Sequence, residues 1–338
     1  MAAIVLGCLL LAPGQAAAAP FAYITNQGSH NVSVIDLALQ RVVATVPVGK
    51  SPAGVVASSA TAQVFISNPD SHDISVIDMR SQTVVRTLQA GKGPVGIDAS
   101  ADGRQLYVAD WYSNELLVFD ADPGAQQALT AARIPVGQAP AGVAAATGLD
   151  GRPLVFVAER DDDSIAAIDV AKRRVIARAK VGTHPFALLL DAPRQRLYAL
   201  NVMSDDITVL DIRAVLAASA QADMPAIATL KVGKAPYGAA LTPDGALMYV
   251  TNQHDDSVSV VDPKSLTVIR TLQGFGYPEG VATHADKVYV VNWMDDDVSV
   301  LDAATGRELR RIATGRNSRG FGAFIGASVG EESAAKQP

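Results

Sequence analysis

An aromatic residue is followed by an aspartate thirteen positions later at seven places along the chain. The seven pairs are Tyr23/Asp36, Phe65/Asp78, Tyr107/Asp120, Phe156/Asp169, Tyr198/Asp211, Tyr249/Asp262 and Tyr289/Asp302. Successive aromatic residues lie 42, 42, 49, 42, 51 and 40 positions apart, so the unit is nearly constant and two copies carry insertions. A period of about 40 residues is typical of a β-propeller or a solenoid.

The content of each repeat favours the propeller. Four short runs rich in β-branched residues recur per unit, as in Val55–Ala57, Ala22–Asn26, Val32–Asp36 and Arg41–Val46, with Gly, Pro, Asn and Asp between them. The 3.6-residue apolar period of a helical solenoid is missing, and a β-solenoid normally has a shorter repeat. The sequence therefore predicts an all-β fold, a seven-bladed β-propeller of four-stranded antiparallel blades.

Two motifs resemble the YVTN-repeat family of β-propeller proteins. One is the strand Tyr249-Val250-Thr251-Asn252, matched more loosely by Tyr23-Ile24-Thr25-Asn26. The other is a Gly-x-x-Pro-x-Gly turn, present at 49–54, 91–96, 137–142 and 233–238 and altered in three further copies by Ala187, Phe275 and Ser318. The resemblance covers nearly all of residues 21–328 and implies the propeller fold of a periplasmic or secreted bacterial protein. It says little about chemistry, because propellers host many functions.

The order of the repeat pieces predicts how the ring closes. The first recognisable piece, at 21–26, corresponds to a second strand, whereas the last, at 320–328, corresponds to a first strand with no followers. The C-terminal strand is therefore expected to pair with the three N-terminal strands and to cover an otherwise open edge.

Three segments are expected along the chain. Residues 1–18 form a signal peptide, because a short apolar run is followed by the small residues Ala16–Ala19. Residues 19–328 form the propeller, and residues 329–338 form a disordered tail. The mature chain would then have no transmembrane segment and no cysteine, since Cys8 is the only one, and it would be periplasmic or secreted.

One face of the predicted propeller carries the unusual residues. The loops from second to third strand and the linkers from each blade to the next emerge together on this face. Both tryptophans and four of the five histidines fall there. The candidate ligand-binding residues are Trp111, Trp293, Lys50, Lys92, Lys234, His184, Tyr277, Glu279, Arg316 and Arg319. Aromatic rings, cations and imidazoles around a channel mouth are what a ligand site needs, although turn formation and a solvated surface explain many such loop residues.

Metal and catalytic motifs are missing from the sequence. His30, His72 and His254 are the weak metal candidates, but they lie in different blades and no His-x-His or His-Glu-x-x-His spacing occurs. No nucleophile elbow or phosphate loop is present, so the sequence predicts no catalytic residue and no cofactor.

Two classes of function stay open. The favoured one is a non-catalytic periplasmic binding scaffold whose loop-bearing face docks a protein partner or a small anionic, partly aromatic ligand. Single-stranded nucleic acid is one such ligand, since lysines beside aromatics suit backbone contact and base stacking, although the net charge of −6 argues against broad electrostatic binding to DNA. The alternative is an enzyme or enzyme subunit of lactonase or quinone-dependent dehydrogenase type, with a channel-mouth site built from Glu279, His184, Arg319 and His254.

Overall fold

A computed structural model describes residues 20–123, 131–218 and 223–327. The predicted signal peptide at 1–18, Cys8 within it, and the predicted tail at 329–338 lie outside the described residues. Those residues form seven antiparallel sheets, which are the seven blades of a propeller. Blade 1 contains the N-terminal strands, and blades 2 to 7 follow in chain order.

Each blade has four strand positions, counted outward from the channel. The first strands are β4 (Val55–Ser58), β8 (Pro94–Ala99), β12 (Pro140–Thr147), β16 (Pro185–Asp191), β20 (Pro236–Leu241) and β24 (Pro278–His284), with β28 (Ser318–Arg319) and β29 (Ile325–Gly326) sharing this position in blade 1. The second strands are β1 (Phe21–Asn26), β5 (Gln63–Asn68), β9 (Gln105–Asp110), β13 (Pro153–Glu159), β17 (Arg196–Asn201), β21 (Met248–Asn252) and β25 (Lys287–Asn292). The third strands are β2 (Asn31–Asp36), β6 (Asp73–Asp78), β10 (Glu115–Asp120), β14 (Ser164–Asp169), β18 (Asp206–Asp211), β22 (Ser257–Asp262) and β26 (Asp297–Asp302). The fourth strands are β3 (Arg41–Pro47), β7 (Thr83–Gln89), β11 (Ala132–Pro135), β15 (Arg174–Lys180), β19 (Ala226–Lys231), β23 (Thr267–Gln273) and β27 (Glu308–Ala313).

The constant thirteen-residue spacing is the geometry of one hairpin. β1 pairs with β2 so that Phe21 faces Asp36 and Tyr23 faces Val34, and a four-residue loop joins the two strands. The Asp36 carboxylate then accepts hydrogen bonds from the backbone N–H groups of Ala38 (2.8 Å) and Leu39 (2.9 Å), which closes the turn to β3. Because the loop length and the turn recur, the aromatic residue and the aspartate keep their separation.

The seven aromatic residues of the pairs form the centre of the blade interfaces. All seven are less than 2% exposed. In blade 6 the Tyr249 hydroxyl donates a hydrogen bond of 2.7 Å to the carbonyl oxygen of Ala303 in blade 7. The fourth strands lie at the outside of the propeller, and their residues alternate in exposure, so that β3 exposes every second residue. The core therefore lies between adjacent blades, around their second and third strands.

Ring closure is confirmed at the seam between the chain ends. β28 pairs with β1 at Thr25 and Asn26, and β29 pairs with β1 at Phe21 and Ala22. Between them, the N–H of Tyr23 donates a hydrogen bond of 2.9 Å to the carbonyl oxygen of Phe324. The C-terminal segment thus supplies the first strand of blade 1.

The first strands of neighbouring blades approach each other closely around the channel. A Cβ atom at Gly96 would overlap the carbonyl oxygen of Ala141 in the next blade, which explains the glycine that ends the Pro-x-Gly turn. The threonine of the Tyr-Val-Thr-Asn strand spans the same gap, since the Thr251 hydroxyl donates a hydrogen bond of 2.6 Å to the carbonyl oxygen of Glu279 in the next blade.

The longer repeats carry their extra residues between third and fourth strands. In blade 5 this connection contains a short helix, α1 (Arg213–Leu216), which buries Val215 and Leu216. Within the described parts of the chain, no helix combines the length and apolarity needed to cross a membrane.

Candidate functional site at the channel mouth

The loop face consists of the seven four-residue loops between second and third strands and the seven linkers between blades. The last residue of most of these loops holds the following linker through its side chain. Asp163 accepts from the N–H of His184 (2.8 Å), and Asp256 accepts from the N–H of Tyr277 (3.0 Å). His184 and Tyr277 both have φ near +53°, a left-handed conformation that this hydrogen bond stabilises. The aspartates therefore position the linker residues.

The histidines proposed as metal ligands lie in separate loops. His30 occupies the same holding position, and its Nδ1 accepts from the N–H of Ser51 at 3.0 Å. His72 is exposed at the equivalent position of blade 2. His254 Nε2 lies 3.2 Å from the Tyr277 hydroxyl. Among the residues that the structure describes, no three His, Cys, Asp or Glu side chains are grouped to hold a metal ion.

Four of the five predicted cations lie around the mouth without ion partners among the described residues. Lys50, Lys92 and Lys234 are exposed, and in each case the backbone N–H donates a hydrogen bond to a side chain in or next to the neighbouring loop. Arg316 is exposed and donates to the carbonyl oxygen of Gly28 at 2.9 Å. In the described part of the chain, none of these four side chains forms a salt bridge. All four cations are therefore available to an anion, although the same loops also carry many aspartates.

An aromatic cluster crosses the propeller axis. Phe186 of blade 5 contacts Tyr237 of blade 6 at 4.6 Å and Phe321 of blade 1 at 4.9 Å between ring centroids. Trp111 of blade 3 joins Phe186 at 6.2 Å, and the guanidinium of Arg160 lies over the Trp111 ring at 5.4 Å. Since these rings come from opposite sides of the propeller and touch, they form an aromatic floor at the mouth.

A second aromatic group stands on the rim of blades 6 and 7. Tyr277 lies between His254 and Trp293, with ring centroids 5.6 Å and 5.5 Å away. The indole N–H of Trp293 donates to Gln27 across the seam between blades 7 and 1, at 3.3 Å. Trp111 and Trp293, the two tryptophans that the sequence predicted at this face, thus belong to separate aromatic groups.

A buried ion pair connects the two groups. Glu279 is fully buried, its Oε1 accepts from Gln253 at 2.9 Å, and its Oε2 lies 3.2 Å from Nε of Arg319. Burial raises the pKa of Glu279 from its ordinary value of 4.5 to about 7, although Arg319 and Gln253 act in the opposite direction. Burial also raises the pKa of the Tyr237 hydroxyl, and the nearby Glu279 adds to that effect. The sequence analysis grouped Glu279 and Arg319 with His184 and His254 in one candidate site, and the fold places Glu279 and Arg319 in contact.

Phe186, Tyr237, Gln253 and Phe321 are site residues that the sequence reasoning missed. A signal for two of them exists in the Pro-x-Gly turns, whose middle residue lies where each linker enters the first strand of a blade. From blade 2 to blade 7 and then blade 1, this position reads Ala53, Val95, Ala141, Phe186, Tyr237, Glu279 and Arg319. Four consecutive blades thus replace a small apolar residue with a large or charged one, so the site occupies one arc of the mouth.

The channel continues below the aromatic floor as a cavity of about 390 Å³. Its wall consists mainly of small and aliphatic residues of the first strands, among them Ala144, Leu188 and Leu241. Asp98 is a half-buried acid of this wall, which Glu279 also lines; desolvation raises the pKa of Asp98 to about 6 although it accepts hydrogen bonds from the N–H groups of Ala145 and Ala99. His184, by contrast, remains half-buried at the mouth, with a buried Nδ1 that has no hydrogen-bond partner.

Comparisons with solved structures agree with the architecture. The hydrazine synthase of Kuenenia stuttgartiensis superimposes with a TM-score of 0.70 at 18% identity, covering 88% of this chain and 99% of that one. Dihydro-heme d1 dehydrogenase NirN in complex with DHE gives a TM-score of 0.65 at 14% identity, covering 89% of this chain and 74% of that one. A functionally unknown protein from Desulfotomaculum acetoxidans gives a TM-score of 0.73 at 12% identity, covering 92% of this chain and 99% of that one. At these identities the likeness concerns the fold alone.

No curated protein matches this sequence significantly. Residues 17–198, which make up more than half of the chain, match the family described as the cytochrome D1 heme domain. The YVTN-repeat resemblance remains a likeness of two motifs. The chain therefore belongs to the cytochrome D1 heme domain family.

Proposed function

We propose that the channel mouth binds a heme-type tetrapyrrole with acidic side chains, and that the protein acts as a cofactor-linked enzyme or enzyme subunit. The observation that carries this proposal is the aromatic floor of Trp111, Phe186, Tyr237 and Phe321, which spans the axis beneath a rim of unpaired cations. Membership of the cytochrome D1 heme domain family supports it. It replaces both the non-catalytic scaffold and the absence of a cofactor as the preferred interpretation.

The residues present fit such a group in three respects. The aromatic floor, whose rings are tilted against one another by 31–55°, offers apolar contact area for a conjugated ring system. Lys50, Lys92 and Lys234 offer positive charge without a competing ion pair, which suits carboxylate side chains. His184 and His254 are imidazoles on this face, and His184 Nδ1 lacks a hydrogen-bond partner. When bound, an iron tetrapyrrole would supply redox chemistry that the protein's own side chains lack.

The roles of the chain's own residues follow from their positions. Trp111 and Phe186 would stack on the ring system, and the lysines would orient its carboxylates. His184 and His254 are the nitrogen donors available on this face. We also propose that the protein works outside the cytoplasm, as the predicted signal peptide implies.

The proposal is tested by titrating the protein with iron protoporphyrin IX while recording its absorbance bands and the tryptophan fluorescence. We expect saturable binding that weakens as salt is raised, and about tenfold weaker binding in Trp111→Ala, equivalent to about 1.4 kcal/mol. His184→Ala and His254→Ala should show which imidazole perturbs the absorbance bands. Leu149→Ala is the matched control, because Leu149 is 71% exposed and lies on the opposite face.

Two results would overturn the proposal. One is the absence of saturable binding to the tetrapyrrole. The other is binding that neither Trp111→Ala nor the two histidine variants change. If the tetrapyrrole does not bind, and a protein captured from a periplasmic extract is lost in a Trp111/Trp293 double alanine variant, the binding-scaffold alternative would be preferred.

A further inference from the structure

We propose that Arg319 and Glu279 form a subsite for a small planar carboxylate at the propeller axis, occupied when Glu279 carries a proton. The subsite shares the channel mouth with the proposed tetrapyrrole but does not depend on it. Its ligand is recognised mainly by the guanidinium of Arg319, beside two rings of the aromatic floor, whereas the tetrapyrrole proposal also needs Trp111, Phe186 and the lysines.

The first argument is the incomplete pairing of Arg319. Its Nε lies 3.2 Å from Glu279 Oε2, yet the two atoms are not aligned for a hydrogen bond, and both are buried without another partner. Among the described residues, the terminal nitrogens of Arg319 make no hydrogen bond, and the side chain is 21% exposed. Since a guanidinium binds a carboxylate best through two parallel N–H groups, Arg319 retains that capacity at the mouth.

The second argument is the surface beside the guanidinium. Tyr237 and Phe321 contact each other at 5.9 Å and belong to the aromatic floor that extends to Phe186. The charges of Arg319 and Glu279 both act on Tyr237, so this ring lies next to the ion pair. Tyr237 and Phe321 are each 8% exposed, so a flat ligand with a carboxylate at one end would lie against their exposed edges and reach Arg319. An aromatic monocarboxylate matches both features.

The third argument concerns charge. A buried carboxylate next to Arg319 neutralises the guanidinium and competes with an incoming anion. Besides Arg319, the polar groups that face Glu279 are Gln253, Tyr237 and Tyr277, with His254 beyond Tyr277. With Glu279 protonated, the positive charge of Arg319 is available to a ligand. Since the pKa of Glu279 is raised to about 7, this change falls near neutral pH.

The probe for the experiment is sodium benzoate, titrated calorimetrically into the full chain at pH 6 and pH 8 with no tetrapyrrole present. The fraction of molecules with a protonated Glu279 falls about tenfold from pH 6 to pH 8, so the Kd of benzoate should rise about tenfold. Benzamide, the neutral isostere, should not bind. Glu279→Gln should bind benzoate equally at both pH values, because its side chain stays neutral and still accepts from Gln253.

Arg319→Gln should abolish benzoate binding, whereas Arg310→Gln, at an exposed arginine of the outer strand β27, should leave it unchanged. If Arg319→Gln does not fold, the test of the proposal is whether benzoate binding by Glu279→Gln has lost its pH dependence. Benzoate binding that survives in folded Arg319→Gln, that strengthens with pH, or that keeps its pH dependence in Glu279→Gln would overturn the proposal, as would no binding at pH 6.

A final arm identifies the source of the carboxylate. Protoporphyrin IX and its dimethyl ester are compared as competitors of benzoate. Competition by the acid alone supports occupancy of the subsite by a carboxylate of the macrocycle. Competition by neither supports a free small carboxylate as the ligand. A failure of tetrapyrrole binding would leave the benzoate result intact, so the two proposals fail separately.

Discussion

Removal of the closing strand should unfold the propeller, and the size of the effect follows from the seam. A chain ending at Gly320 leaves three backbone donors without partners, since the N–H groups of Tyr23, Val55 and Ala57 donate to carbonyl oxygens of the closing segment at 2.8–2.9 Å. Each buried unpaired donor costs about 1–3 kcal/mol, and the lost burial of Phe324 adds about 1.5–3 kcal/mol. The total, about 5–12 kcal/mol, is comparable to the whole stability of a typical domain.

Phe324→Ala gives a graded form of the same test. Phe324 is fully buried among side chains of blades 1, 2 and 7. Its truncation should cost about 3–5 kcal/mol and lower the Tm by about 6–10 °C, measured by circular dichroism. Leu309→Ala, on an exposed outer strand, should change stability by less than about 0.5 kcal/mol. Removing residues 331–338 is expected to leave the Tm unchanged. A soluble chain ending at Gly320 that melts cooperatively near the wild-type Tm would refute this account of closure.

Two further predictions concern stability. Tyr249→Phe should lower the free energy of unfolding in urea by about 1 kcal/mol, because the Tyr249 hydroxyl donates a hydrogen bond to the Ala303 carbonyl oxygen. Tyr289→Phe is the control, since the Tyr289 hydroxyl makes no hydrogen bond among the described residues. Equal losses in the two variants would contradict the reasoning. The folded-state pKa of Glu279, about 7, lies above its ordinary 4.5, so the proton stabilises the folded protein at low pH and this contribution is lost as the pH rises through 7. Glu279→Gln, measured against wild type, should therefore gain about 3 kcal/mol between pH 4.5 and pH 8, and a pH-independent difference would count against a raised pKa.

The repeat could be predicted from sequence because it reflects local structure, and the ring closure because it follows from counting the strands of each repeat. The spacing of Tyr23 and Asp36 reflects one hairpin and one turn, and the leftover pieces at the two ends of the chain indicate which strand closes the ring. The contacts of the site could not be predicted in this way. Phe186 meets Phe321 across the axis, and Glu279 meets Arg319 across a blade boundary, so these contacts depend on the assembled ring.

The middle residue of the Pro-x-Gly turn explains how a regular scaffold can carry an irregular site. Its backbone does the structural work, since the carbonyl oxygens of Ala53 and Glu279 accept hydrogen bonds from Thr25 and Thr251 of the preceding blades whatever side chain the residue bears. Because the ring depends on that carbonyl group, the side chain can change from a methyl group at Ala53 to a carboxylate at Glu279 without loss of the strand. The propeller thus presents side chains at the axis that its own stability does not specify. We propose that the arc from Phe186 to Arg319 is where this chain uses that freedom for binding.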